Sequence, residues 1–210
     1  MRQYLPDVDI VAMVGNDSVT RESDLVRLHI LAQYGGFWMD ASTVCYKPLD
    51  WIQERGNNSQ YFGFYLDGWT SDVRYPVIEN WFFACVPRSS FVQAWLAEFM
   101  RINEFTTVND YVASVKQDTN VQGIPLDLQN YLAMHIAAQR VLQNQGPWTG
   151  LDVISATQEG TGPLYYLAKN GWDTEKAVDN LCDSLTQLIK FRGAERNAAV
   201  NRIDKLGCIF

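Results

Sequence analysis

Long apolar runs are missing from this sequence. No stretch approaches the roughly 20 consecutive apolar residues that cross a bilayer, so no membrane segment is expected. The opening Met1-Arg2-Gln3-Tyr4-Leu5-Pro6-Asp7 carries no apolar core of a signal peptide. The expected location is cytoplasmic, or the Golgi lumen or a membrane surface if an anchor precedes Met1. Cysteine is scarce: Cys45, Cys85, Cys182 and Cys208 match no zinc spacing such as a CxxC pair. Cys85 lies in an apolar run and Cys182 on an apolar helical stripe, so both read as buried thiols, with a reducing compartment as the default. Histidine is scarcer still. His29 and His135 fall on predicted helices without companion ligands and read as structural. There is no phosphate-binding glycine loop and no Ser-His-Asp pattern. Positive charge is also short, with 17 Lys and Arg against 24 Asp and Glu and a net charge of −7. That balance argues against a nucleic-acid partner, whose binding rests on phosphate neutralisation. A diphosphate ligand would need a metal ion or a few well-placed cations. Repeats, low-complexity segments and linkers are absent. The 210 residues therefore read as a single domain over 1–210, long enough for one sizeable core.

What is present alternates strands with helices, which predicts an α/β fold. Ile10 to Val14 reads as a strand ended by Gly15-Asn16-Asp17. Thr20 or Ser23 can cap a helix that runs to about Tyr34, with Leu25, Leu28, Leu31 and Ala32 on its apolar face. Gly35-Gly36 stops it. Phe37-Trp38-Met39 reads as a short buried strand ending at Asp40, and ligands of open α/β sheets lie beyond such strand ends. Further strands are expected at Tyr61 to Tyr65 and Trp81 to Val86. Helices are expected after Ser89 or Ser90, from Asp127 to about Leu142, and from Thr174 through Leu181 and Cys182 to Leu188. The polar stretch Gln117 to Gly123 reads as a mobile loop.

Asp24 and Arg27 share a helix face at i, i+3. They are either a plain helical ion pair or a clamp on a polar ligand, with the guanidinium donating to a phosphate or sugar oxygen. Asp40 is either a turn-capping residue or a functional acid, with the hydroxyls of Ser42 and Thr43 just beyond. Asn80, after Glu79, is either solvated or bonded to a sugar hydroxyl, which an amide serves well. Gly160-Thr161-Gly162-Pro163 is a rigid turn. Trp69, Trp148 and Trp172 fall in expected loops, where an indole either stacks on a sugar or base or covers an apolar edge.

Ser23-Asp24-Leu25-Val26-Arg27, the following helix, and Gly35-Gly36-Phe37-Trp38-Met39-Asp40-Ala41-Ser42 together resemble a known signature: S-D-x-x-R, a helix, G-G, a hydrophobic pair and D-x-D. It is similar to the sugar-transferase core of capsular polysaccharide synthesis proteins, the fungal initiating mannosyltransferases and the glucosylating domain of large clostridial toxins. Glu79-Asn80-Trp81-Phe82, Thr161-Gly162-Pro163 and Lys205-Leu206 extend the likeness more weakly. The resemblance implies a GT-A-like mixed sheet flanked by helices. It implies a nucleoside-diphosphate sugar donor, a glycan or other hydroxyl acceptor, and retention of anomeric configuration. It assigns Asp24, Arg27, Asn80 and Gly162 to substrate, and Asp40 and Arg27 to catalysis. Asp40 and Ser42 would be the ligands of a divalent cation, manganese, acting as a Lewis acid on the leaving diphosphate. Two features depart from the pattern. Ser42 stands where the last acid of the motif would be, and a hydroxyl is a poorer ligand for a hard cation. Only residues 1–22 precede the signature, where the families place one or two strands that hold the base. That leaves three readings: a fragment, a wrongly started gene, or a reduced and inactive relative that binds a nucleotide sugar or glycan without turnover.

Overall fold

The computed structural model describes residues 19–55, 59–202, 204 and 206–209. The expected strand at Ile10 to Val14, its turn, and Lys205 lie outside them. Helix α1 (Val19–Tyr34) buries Leu25, Leu28, Leu31 and Ala32 on one side, the face that their spacing selects. It ends at Gly35, whose φ is +65°. A Cβ at Gly35 would stand 2.4 Å from the backbone nitrogen of Pro87. Left-handed backbone and lack of room both demand glycine there. The chain can then turn at once into β1 (Gly36–Met39).

The main sheet has the order β1-β4-β3-β5, with β3 at Tyr61–Tyr65, β4 at Ile78–Cys85 and β5 at Leu151–Ser155. β4 runs antiparallel to β1 and β3, and β3 runs parallel to β5. The α/β class is the expected one, and the sheet is mixed. Alternation along the strands sends Tyr61 and Phe83 to one core and Phe62, Phe64, Phe82 and Ala84 to the other, as the two-residue period requires. The first core is closed by α1, α3 (Ser90–Met100), α4 (Val108–Val115) and α5 (Ala133–Asn144). Ser89 caps α3 by accepting from the Val92 amide. Trp95 lies at the centre and donates its indole N–H to the Met134 carbonyl at 2.8 Å. The second core is covered by α2 (Asp50–Arg55), α6 (Tyr165–Lys169), α7 (Thr174–Asp179) and α8 (Gly193–Val200). A separate antiparallel ribbon of β2 (Thr43–Cys45) and β6 (Leu188–Lys190) packs on the same side.

Several expectations are corrected. β1 is an edge strand and not a buried one: among the described residues it pairs with β4 alone, and Phe37 and Met39 are each 40% exposed. Uniform apolarity in three residues does not distinguish the two cases. The helix expected from Asp127 begins only at Ala133, after a 3-10 turn at Leu126–Leu128. The helix expected from Thr174 to Leu188 ends at Asp179. Leu181–Ser184 is a 3-10 turn, and Leu188 opens β6, where pairing with a distant strand overrides local periodicity. Cys182 is not a free thiol but is bonded to Cys208, which removes the ground for a reducing compartment. The Gln117 to Gly123 stretch is pinned: Asn120 N–H donates to the Gln143 side chain, Ser71 and Asp72 amides donate to the Gln122 side chain, and Val121 is buried. No helix among the described residues is long and apolar enough to cross a membrane.

Candidate functional site

The end of β1 delivers Asp40 to the carboxyl edge of the sheet. Its backbone N–H donates to the Trp81 carbonyl at 2.8 Å, and the Trp38 indole donates to its Oδ1 at 3.1 Å. Three residues on, the chain enters β2, where Thr43 is paired with Lys190 of β6. The Phe191 amide also donates to the Ser42 carbonyl at 2.9 Å. This short ribbon carries Lys190 across 150 residues of sequence to the motif. Its Nζ donates to Asp40 Oδ2 at 3.0 Å and to Ser42 Oγ at 2.8 Å.

An irregularity in β4 supplies the next side chains. Gly63 pairs with Phe83 and Tyr65 with Ile78, so β4 runs through Glu79 to Phe82 where β3 has only Phe64. Such bulges re-aim side chains at the rim of a sheet. Here Glu79 and Asn80 face a cavity of about 820 Å³, within the roughly 300–1,000 Å³ range of small-ligand sites. Asp40, Ser42 and Lys190 line the same cavity, as do Trp69, Trp81 and Trp172. Arg192 and Arg196 stand at its wall. The Arg192 guanidinium lies 5.3 Å from the Trp172 ring centre and is paired with Glu195 at 2.8 Å. Among the described residues no acid pairs with Arg196. Asp67 also lines the cavity and accepts hydrogen bonds from Ser155 and Thr157.

The Asp24–Arg27 pair exists, but it sits behind this cavity. Neither residue lines it, and they are only 3% and 5% exposed. The Arg27 guanidinium donates to the Asn80 carbonyl at 2.6 Å and to Ser23 Oγ at 3.2 Å. It lies 3.3 Å from Asp24 and 3.5 Å from Asp40, with the Trp38 ring centre 4.9 Å away. Asp24 accepts from the Asn80 side chain at 3.0 Å. Burial pushes the Asp24 carboxyl up to about 6, with Arg27 the main opposing influence. The plain ion-pair reading is the one the geometry matches: the pair is buried, does not reach the cavity as a ligand clamp would, and fixes the two residues that do, Asp40 and Asn80. Gly162 does not line the cavity. A Cβ on it would lie 2.4 Å from the Gln158 nitrogen and 2.5 Å from the Ala156 carbonyl, so it serves the tight turn that carries the chain from Thr157 to Leu164.

Sequence reasoning gave no functional role to several cavity residues, among them Glu79, His135, Lys190, Arg192 and Arg196. Glu79 and His135 lie 3.2 Å apart, both buried, and both line the cavity. His135 Nδ1 has no hydrogen-bond partner among the described residues. Lys190 and Arg192 carried no local signal. The loop tryptophans had one, their neighbouring glycines. Trp69 and Trp172 reach the cavity, while Trp148 lines a separate hollow.

The residues assigned to a divalent cation are Asp40 and Ser42, and both are already engaged by the Lys190 ammonium. A hard cation of this kind wants roughly six oxygen ligands. Among the described residues no group of three His, Cys, Asp or Glu is placed to hold a metal ion. This donor set does not fit a tightly held divalent metal.

No curated protein and no solved structure matches the chain. A family model described as capsular polysaccharide synthesis protein matches residues 9–114. That span covers half of the chain and holds α1, β1 to β4 and α3, and with them Asp24, Arg27, Asp40, Ser42, Glu79 and Asn80. On that match, the chain belongs to the capsular polysaccharide synthesis protein family.

Proposed function

We propose that this protein is a GT-A-type glycosyltransferase that moves a sugar from a nucleoside-diphosphate donor to a glycan or other hydroxyl acceptor in polysaccharide synthesis, with retention of configuration. One observation carries the reading: Asp40, Ser42 and Asn80 of the family segment share a single cavity with three indoles and three cationic side chains. Indoles offer stacking faces to a base or sugar, and cations offer charge-assisted bonds to a diphosphate. Asn80 would bond sugar hydroxyls, and Asp40 would accept from ribose or sugar hydroxyls. Arg27 and Asp24 would act through these two as positioning residues. Charge developing on the departing diphosphate would be offset by the cationic wall, which is electrostatic stabilisation of the leaving group. Glu79, 3.2 Å from His135, would be the carboxylate that takes a proton from the acceptor hydroxyl.

Incubation with a panel of nucleotide sugars, with and without candidate glycan acceptors, tests this reading. Donor hydrolysis or transfer is expected with at least one of them. Neither turnover nor calorimetric binding of any nucleotide would refute it. Ser42, in place of the last acid of the motif, favours a second reading: a relative that binds a nucleotide sugar or glycan without turnover. Tight binding with no product, unchanged in Glu79→Gln, would select that one.

A further inference from the structure

We infer that Lys190 is a built-in cation that replaces the divalent metal at this site, so that the protein binds a diphosphate without metal. The inference rests on the donor reading above and deepens it. Its ground is position. The ammonium stands between Asp40 Oδ2 at 3.0 Å and Ser42 Oγ at 2.8 Å, the two oxygens that a metal would need. It is held there by structure and not by chance rotamer choice. Lys190 is the register partner of Thr43, its own carbonyl accepts from the Tyr166 hydroxyl at 2.9 Å, and its Nζ lies 5.5 Å from the Trp81 ring centre. The side chain is 9% exposed.

The electrostatics agree. Asp40 faces two cations, Lys190 at 3.0 Å and Arg27 at 3.5 Å, and Arg27 also faces Asp24. The four groups sum to no net charge, so the cluster is already balanced. A divalent ion inserted beside Asp40 would meet the ammonium at close range, with one carboxylate that is already shared. A diphosphate meets the opposite situation. An ammonium has three N–H donors, and Asp40 and Ser42 take two of Lys190's. The third is left for a ligand in the cavity that Lys190 lines. Arg192 and Arg196 line the same cavity, and guanidinium matches phosphate oxygens in a bidentate fork.

The test is calorimetric titration of the full chain with inorganic pyrophosphate and with UDP, GDP, CDP, ADP and dTDP, in EDTA and again in manganese. At least one nucleoside diphosphate is expected to bind in EDTA, with an affinity that manganese changes by less than about threefold. Lys190→Met keeps the apolar stem and removes the charge. It is expected to weaken binding in EDTA by roughly tenfold to a hundredfold, the worth of one charge-assisted bond. Manganese should recover part of that loss, because Asp40 and Ser42 are then free. Binding that requires manganese in the wild-type protein would overturn the inference and leave the donor reading standing. Wild-type affinity in Lys190→Met without metal would do the same. Absence of binding by every probe in both buffers would overturn both. The wild-type comparison decides alone if the variant does not fold.

Discussion

Arg27→Gln is the perturbation whose outcome the geometry constrains most. The guanidinium makes contacts to Asn80, Ser23, Asp24 and Asp40 within 2.6 to 3.5 Å. Removing it leaves the Asp24 carboxylate, 3% exposed, without its cation. Breaking a buried pair in this way costs about 3–5 kcal/mol. The cost should depend on pH. The Asp24 carboxyl is already raised from 3.8 to about 6 by burial, with Arg27 the main lowering influence. A raised carboxyl binds its proton more tightly in the folded protein. Its contribution to stability is therefore fully present below pH 3.8 and is lost as pH rises through the folded value of about 6. At roughly 1.4 kcal/mol per unit, that loss is about 3 kcal/mol. Above that point the Asp24 contribution in the wild-type protein is flat. In Arg27→Gln the folded value moves higher, and the decline continues beyond pH 6. The deficit of the variant should thus be smallest near pH 5 and grow by roughly 1 kcal/mol or more between about pH 6 and pH 8. Urea unfolding followed by tryptophan fluorescence at four pH values measures this directly. Arg27→Gln combined with Asp24→Asn should remove the growth, since no carboxyl then remains to titrate. A deficit independent of pH, or one below about 1 kcal/mol at pH 8, would refute the buried-pair account. The double variant serves a second purpose. If Arg27 acts only through Asp40 and Asn80, a stable double variant should bind donor within about tenfold of wild type, and complete loss of binding would place Arg27 on the ligand itself.

Glu79→Gln should lower transfer by about a hundredfold or more with donor affinity little changed, as expected for loss of a proton acceptor; steady-state kinetics with separate donor titration checks it. Cys208→Ser, which opens the bond to Cys182 across 26 residues, should reduce unfolding free energy by about 2–4 kcal/mol, read from urea midpoints. Gly162→Ala forces backbone apart, because its Cβ would meet the Gln158 nitrogen at 2.4 Å. A loss of roughly 1–3 kcal/mol is expected in thermal unfolding, with a weaker donor affinity through displacement of Thr157. Trp95→Ala removes a fully buried indole together with its hydrogen bond to the Met134 carbonyl, at a cost of about 3–5 kcal/mol.

What could be read from sequence follows the range over which each feature is determined. The helix carrying Asp24 and Arg27, its glycine stop and the strand to Asp40 are local. They depend on a 3.6-residue period, on one position with positive φ and on the next three residues, and all of these are visible in a short window. The edge character of β1 was not visible, because it depends on which strands lie beside it. β6 has three residues, too few to show a two-residue period, and it was absorbed into the periodicity of the helix before it. Lys190 was lost with it. Glu79 and His135 are separated by 56 residues, and only the bulge in β4 turns Glu79 inward. Each missed residue reaches the cavity through a non-local pairing, and each local expectation concerned the segment that reads as a signature.

That division has a chemical consequence. The family match ends at residue 114, and the polar side of the cavity lies inside it: Asp40, Ser42, Glu79 and Asn80. Lys190, Arg192 and Arg196 lie beyond it, on and after β6. A chain of net charge −7 repels a diphosphate on average, and the average field is the wrong quantity to consider. The cavity lining sets Lys190, Arg192 and Arg196 beside Asp40, Asp67 and Glu79, so a diphosphate there meets individual donors at short range, while charges on the outer surface are screened by solvent within about 10 Å. The two halves of the site then have separable duties: hydroxyl recognition and proton transfer on the family segment, phosphate recognition on the later ribbon and helix. Variants in the first group should alter which sugar or acceptor is used. Variants in the second should weaken all nucleoside diphosphates alike and flatten the dependence of binding on salt, because the interaction lost there is charge and not shape.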